Sequence, residues 1–332
     1  MALHAVENVG PAFTVAREFL TPLDPRRWLK LAVVAFFIGG GMNLPTAQFD
    51  VSGVPDGFPD GISEGGVPLA VPADLATIVA AVAVAAVLLA LAFALVGAVM
   101  EFVFVESLRR EEISVRRYWR RRWRQGLRLF GFRIAIGLPF LALFLGWLAL
   151  FLVPLFTGVT EPIVPFAAFL LGIPLLFVAG IVYGLITGFT TVFVVPIMIV
   201  DDSGVLAAWR RLWGSLKVEW NEYLAYAVVG FVLTLAVGLL ASIALGFAAI
   251  ALLVPITLLV GVTHLTVSLS STVGFAILVA LVLLFVVTVI VLWALVQVPI
   301  LAYLRYYALL VLGDIDAEFD VVPDQRKRLG EA

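Results

Sequence analysis

Residues 75–124 read LATIVAAVAVAAVLLALAFALVGAVMEFVFVESLRREEISVRRYWRRRWR, and the change of character inside this stretch decides the fold. From Leu75 to Val105 the only charged residue is Glu101. A helix rises about 1.5 Å per residue and a bilayer's hydrocarbon core is about 30 Å thick, so roughly 20 apolar residues cross it. This run is long enough. It then gives way to arginine and tryptophan, the pair of residue types suited to a membrane–water boundary.

The rest of the 332-residue chain extends the pattern. Some 63% of residues are hydrophobic and 13% are charged, where a soluble domain needs about 25% charge to cover its surface. That excludes a soluble globular enzyme. Six apolar runs are long enough to serve as spans, at about 28–44, 75–105, 127–156, 162–200, 223–260 and 272–312. The last three approach twice the core thickness. The sixth has no Gly or Pro between Gly274 and Pro299 to make a turn, so each is read as one span that tilts, kinks at Pro174, Pro196, Pro255 or Pro299, or projects from the bilayer. The expected fold class is therefore all-α: a single polytopic domain over 1–315 with six transmembrane helices, followed by a short tail over 316–332.

Charge sorts the connections. Residues 45–74 are acidic, rich in Gly and Pro and free of basic residues. The 157–161 and 261–271 connections are nearly uncharged, with His264 expected in an outer loop. Arg17, Arg26, Arg27 and Lys30 precede the first run, and ten arginines from Arg109 to Arg133 surround the second connection. Arg210, Arg211 and Lys217 lie between the fourth and fifth runs; Arg305, Arg326, Lys327 and Arg328 come at or after the end of the sixth. These account for all 21 basic residues. Six spans place all of them on one face, which the positive-inside rule makes cytoplasmic, together with both termini. The expected location is the plasma membrane.

Two connectors repeat. Tyr118–Arg124 reads YWRRRWR and Ala208–Gly214 reads AWRRLWG, so that Trp119 and Trp123 match Trp209 and Trp213 at an offset of 90. A weaker copy precedes the first run. The unit is an amphipathic elbow, at about 12–20, 114–126 and 203–220, followed by two spans. In the first full copy Val115, Trp119, Trp123 and Leu127 form the apolar stripe, with Arg116, Arg117, Arg120, Arg121 and Arg124 elsewhere. In the second, Val205, Trp209, Leu212, Trp213, Leu216 and Trp220 form the stripe beside Arg210 and Arg211, with Asp202 or Ser203 as the cap. Such helices are expected to lie in the plane of the inner leaflet, anchoring the spans or selecting anionic lipid headgroups. Nucleic acid is not an expected partner, because the membrane takes up the aromatic stripe.

Val194–Leu224, VVPIMIVDDSGVLAAWRRLWGSLKVEWNEYL, resembles the junction of spans four and five in a broad six-span membrane family. That family includes the membrane domain attached to some glycerophosphodiester phosphodiesterases. Pro196, Asp201, Asp202 and the Ala-Ala-Trp-Arg elbow carry the likeness. In those enzymes the catalytic residues sit in a separate soluble barrel, so the resemblance implies a fold and no activity.

Candidate sites inside the spans are few. Gly180, Gly184 and Gly188 form GxxxGxxxG, expected to pack helices within the chain or between two copies. Glu101 is an intramembrane carboxylate, expected to reach the interface or pair with an elbow arginine. Thr187, Thr190 and Thr191 are expected to bond local carbonyls, and Gln297 to satisfy the backbone acceptor freed by Pro299. Arg305 is expected to snorkel. No cysteine is present, and the two histidines form no ligand motif. No phosphate-binding loop, GxSxG or HExxH occurs. No metal, cofactor or catalytic group is expected. The leading expectation is a non-enzymatic membrane protein that meets anionic lipid, another copy of itself or a membrane-protein partner. The alternative is a transporter or channel for a small or lipid-like solute, which requires a cavity lined by Thr187, Thr191 or Gln297. Against it stands the lack of a midplane charge in spans three to six.

Overall fold

The computed structural model describes residues 4–21, 24–39, 73–157, 163–266 and 271–331. These are almost entirely helical, with no strand among them. In chain order they form α1 (His4–Glu7), α2 (Val9–Leu20), α3 (Pro25–Ile38), α4 (Ala73–Arg110), α5 (Val115–Thr157), α6 (Ile163–Phe189), α7 (Val195–Asp201), α8 (Val205–Val218), α9 (Trp220–Thr266), α10 (Thr272–Ile315) and α11 (Pro323–Glu331). A π-helical turn, Thr190–Val194, joins α6 to α7 without a break.

Five helical stretches are long and apolar enough to cross a membrane: Thr77–Arg110, Val115–Leu150, Phe169–Asp201, Trp220–Leu265 and Thr272–Ile315. They mark a multi-pass membrane protein. The run expected at 28–44 is not among them. Its described part, α3, has 14 residues and spans only about 21 Å; the remainder, like most of the acidic 45–74 connection, lies outside the described residues.

The long runs are single rods. α9 has 47 residues and α10 has 44, about 70 and 66 Å. Both continue through their prolines, Pro255 and Pro299, and α9 carries on through 261–266, where the sequence reading places a loop containing His264. The π turn has a local cause. Pro196 lacks an N–H, which frees an acceptor one turn back, and the Val195 N–H bonds Thr190 O five residues earlier.

Burial divides each rod in two. One end of the bundle is a packed head, with a core that includes Phe102, Phe104, Leu108, Tyr118, Leu129, Phe193, Ile197, Leu212, Tyr306 and Leu309. α2 and the start of α3 complete it through Val15, Phe19, Leu31 and Val34. The 316–332 segment is not a free tail. Phe319, Val321, Val322 and Gln325 are buried, and the Gln325 amide donates to the carbonyls of Leu108 and Arg109. Away from the head the rods are exposed apolar shafts, among them Val82, Leu89, Leu170, Phe177, Phe247 and Leu283. So much uncovered apolar surface requires hydrocarbon around it.

Candidate functional site

Two elements that look alike in sequence also behave alike in the head. Residues 115–126 are not a separate elbow: they are the first turns of the 43-residue α5. Residues 205–218 do form their own helix, α8. In α5 the buried face is one step away from the expected tryptophan stripe, whereas in α8 two members of the expected stripe, Val205 and Leu212, are buried. Tyr118 and Arg122 are buried in α5, and Ala208 and Leu212 at the matching positions of α8. Trp119 and Trp209 are half-buried, whereas Trp123 is 48% and Trp213 51% exposed. In α5 the Trp123 and Leu127 part of the stripe therefore looks outward, because Tyr118, Arg122, Gln125 and Leu129, spaced on one helix face, have better partners inside.

Each copy also begins with the same backbone device. Glu111, after α4, and Asp202, after α7, adopt positive φ angles of 53° and 49°. Non-glycine residues reach this region at a cost of about 1–2 kcal/mol, and both carboxylates are held. Asp202 accepts from Arg122 at 3.3 Å and from the Gln125 amide at 2.9 Å. Glu111 accepts from Arg328 and from Gln325. Asp202 and Ser203 do not cap α8, whose N-cap is Gly204 with no side-chain bond.

Arg122 was not a candidate in the sequence reading, yet it organises this corner. It pairs with Glu106 at 3.4 Å and donates to Gln125 Oε1 at 3.0 Å. Glu106 is fully buried and also pairs with Arg110 at 2.8 Å. Gln125 donates to Met198 O at 2.9 Å, tying α5 to α7. A buried carboxylate with two guanidinium partners is compensated; either charge alone would be expensive there.

A second buried cluster lies deeper. Glu101 pairs with Arg305, and its other oxygen faces Arg133 at 3.4 Å. Arg133 donates to Thr191 Oγ1 at 2.8 Å, and Arg305 donates to Thr191 O in the π turn. Glu101 and Arg305 are 3% and 5% exposed. Arg305 thus does not snorkel, and the Glu101 partners are Arg133 and Arg305 rather than the elbow arginines. The threonines behave as expected: Thr187, Thr190 and Thr191 donate to the carbonyls of Tyr183, Ile186 and Thr187. Thr190 also accepts from Trp209 Nε1 at 3.0 Å.

Of the glycine motif only Gly180 faces a neighbouring helix, with Phe140 Cε2 of α5 4.0 Å from an added Cβ. A Cβ added at Gly184 or Gly188 would meet nothing within 4 Å. Both instead line a cleft of about 350 Å³ between α6, α9 and α10, which reaches Arg305. A neighbouring cleft of about 560 Å³ runs further along α9 and α10 and is lined by Trp293 and Gln297. Gln297 does not bond the backbone beside Pro299. Close approaches by backbone atoms fall at two lone glycines in the head. A Cβ at Gly126 would sit 2.8 Å from Val99 Cα, and one at Gly97 would sit 2.7 Å from Phe37 O.

On the outer face of α5, Arg116, Arg120, Arg121 and Arg124 are exposed and form no ion pair among the described residues. Arg117 pairs with Glu112. On α8, Arg211 pairs with Asp201 and Glu318; the hydrogen bond that it donates to Asp201 is the main cause that holds its guanidinium above the ordinary value. Arg210 is exposed. No group of three or more potential metal ligands occurs among the described residues.

A family model, described as a family of unknown function (DUF7544), matches residues 3–322. No curated protein and no solved structure matches the chain. The resemblance to the membrane domain of glycerophosphodiester phosphodiesterases gains no support from these comparisons.

Proposed function

This chain belongs to the DUF7544 family, whose function is unknown, and we propose that it is a non-enzymatic integral membrane protein that organises the bilayer or scaffolds partners by holding anionic lipid on its arginine–tryptophan faces. One observation carries this reading. Trp123 and Trp213, at matching positions of the repeat, are both about half exposed, and beside them stand Arg120, Arg121, Arg124 and Arg210, exposed and without an ion-pair partner among the described residues. An indole at the interface beside free guanidiniums suits a phosphate-bearing headgroup. The tryptophan-and-arginine surface belongs to the head, so the head lies at the inner-leaflet boundary of the cell membrane, with both termini cytoplasmic. The basic segments all belong to this end of the bundle, which the positive-inside rule favours. Counting the run at 28–44, whose described part is α3, as a span gives the even count that this sorting requires.

Native mass spectrometry of the protein extracted from phosphatidylglycerol-containing membranes tests the surface. Changing Arg120→Glu with Arg121→Glu is expected to lower the number of retained phosphatidylglycerol molecules while leaving the fold intact, because both side chains are exposed. Unchanged retention would count against this function. A second reading, passage of a small or lipid-like solute, is favoured by the two clefts and by Gln297 on the wall of one of them.

A further inference from the structure

The two clefts are contiguous. Thr234, Leu301 and Leu304 line both. Together they follow α10 from Tyr307 to Val289, about 27 Å of helix, close to the thickness of a hydrocarbon core. Each volume falls in the range of ligand-sized cavities. The α9 wall is a ridge of small residues every four positions: Gly230, Thr234, Gly238, Ser242 and Gly246. Such a ridge normally admits a second helix. Here a Cβ at Gly238 or Gly246 would meet nothing within 4 Å, so no described helix fills it.

The two ends of this groove differ. Its outer walls are mainly apolar, with Thr234, Ser242 and Gln297 as polar members, while its floor in the head is Arg305, 5% exposed and bonded to Glu101 and Thr191 O. Tyr226 also lines the floor. Glu101 faces two guanidiniums, those of Arg305 and Arg133. One carboxylate against two cations leaves this cluster with a formal surplus of one positive charge, and its buried member Arg305 is the one that lines the groove, where a counter-charge would answer it.

We propose that this groove binds one anionic membrane lipid, with an aliphatic chain along the α9 ridge and the headgroup at Arg305 on the floor. A second copy of the chain would cover the ridge but leave the surplus charge unanswered. A small soluble anion would answer the charge but leave the apolar walls unfilled. The site is separate from the exposed arginines of α5.

Native mass spectrometry of the full-length protein in neutral detergent tests the assignment with three probes: palmitoyl-lysophosphatidylglycerol, palmitoyl-lysophosphatidylcholine and glycerol phosphate. The expected result is one tightly bound lysophosphatidylglycerol, held about tenfold more strongly than the zwitterionic lipid, the order of one charge-assisted contact. Glycerol phosphate is expected not to bind. Gly238→Leu with Gly246→Leu fills open space and should weaken lysophosphatidylglycerol by at least about tenfold at an unchanged melting temperature. Arg133→Gln, which keeps the Glu101–Arg305 pair, should erase the preference between the two lipids; Arg133→Lys should retain it. Arg120→Glu with Arg121→Glu should leave this single lipid in place, which separates the groove from the proposed surface. Equal binding of the two lipids, binding of glycerol phosphate as tight as that of the lysolipid, or no effect of the groove-filling pair would overturn the proposal. So would a dimer that the groove-filling pair dissolves, which would give the groove to a second copy.

Discussion

The head and the shafts are parts of the same helices, yet they obey different rules. In the head, α4, α5 and α10 bury tyrosines, phenylalanines and paired charges to the level of a soluble protein's core. A few turns further along the same rods, large apolar residues stand exposed. In water the second arrangement would collapse. In hydrocarbon it gains little from collapsing, because lipid tails match leucine in polarity and association falls to packing and hydrogen bonds. The contrast teaches that helix length here does not report membrane thickness. The surplus turns build a domain at the boundary, and that domain fixes the bundle.

The comparison breaks first on aromatic truncation. Phe193 is fully buried in the head, and Phe247 is 71% exposed on a shaft. Phe193→Ala should cost about 3–5 kcal/mol and Phe247→Ala within about 0.5 kcal/mol, read as unfolding midpoints of the two variants in the same detergent. Equal losses would mean that the shafts carry a core of their own. Glycine gives a smaller but sharper contrast. Gly126→Ala drives a methyl against the Val99 backbone and should cost about 1–3 kcal/mol. Gly184→Ala enters open space and should be neutral or gain up to about 1 kcal/mol from helix propensity; thermal denaturation in parallel checks both.

The smallest effect is a pH dependence confined to the head. Burial pushes the Asp320 carboxyl up, against a lowering hydrogen bond from the Val322 N–H. With its pKa raised on folding, this group binds a proton more readily in the folded state. Its contribution to stability therefore grows as the pH falls through the raised value toward the ordinary carboxylate range. Asp320→Asn should remove that increment, so the melting temperatures of the two proteins should change differently with acidification across that window. Parallel changes would show that Asp320 is not the group responsible.

Much of this was legible in the chain. The runs at 75–105, 127–156, 162–200, 223–260 and 272–312 each fall on one of the five long apolar helices, because hydropathy over twenty residues is a bulk property that needs no partner. The repeat was legible because tryptophans at an offset of 90 survive as letters. The side of each helix was not. Val115, Trp119, Trp123 and Leu127 make a sound amphipathic stripe, but the competing face through Tyr118, Arg122 and Gln125 finds Glu106, Asp202 and the carbonyl of Met198. Those partners come from other helices, and no local pattern announces them. Gly184 and Gly188 misled for the same reason. Spacing shows where a helix is thin, not whether a neighbour arrives. The ridge from Gly230 to Gly246 carried the same kind of spacing and went unread beside the more regular GxxxGxxxG.

Alone, the order of residues determined the solvent of each segment, the helical form of the long runs and the sorting of basic residues. These depend on transfer free energy and on spacing along a single rod. Only the tertiary structure decided that Arg305 and Arg133 meet Glu101 across three helices, that residues 319–325 seal the head, and that α6, α9 and α10 leave a groove open. Each of these turns on groups distant in sequence coming within bonding range, and a charge finds its partner only after the backbone has brought the two together.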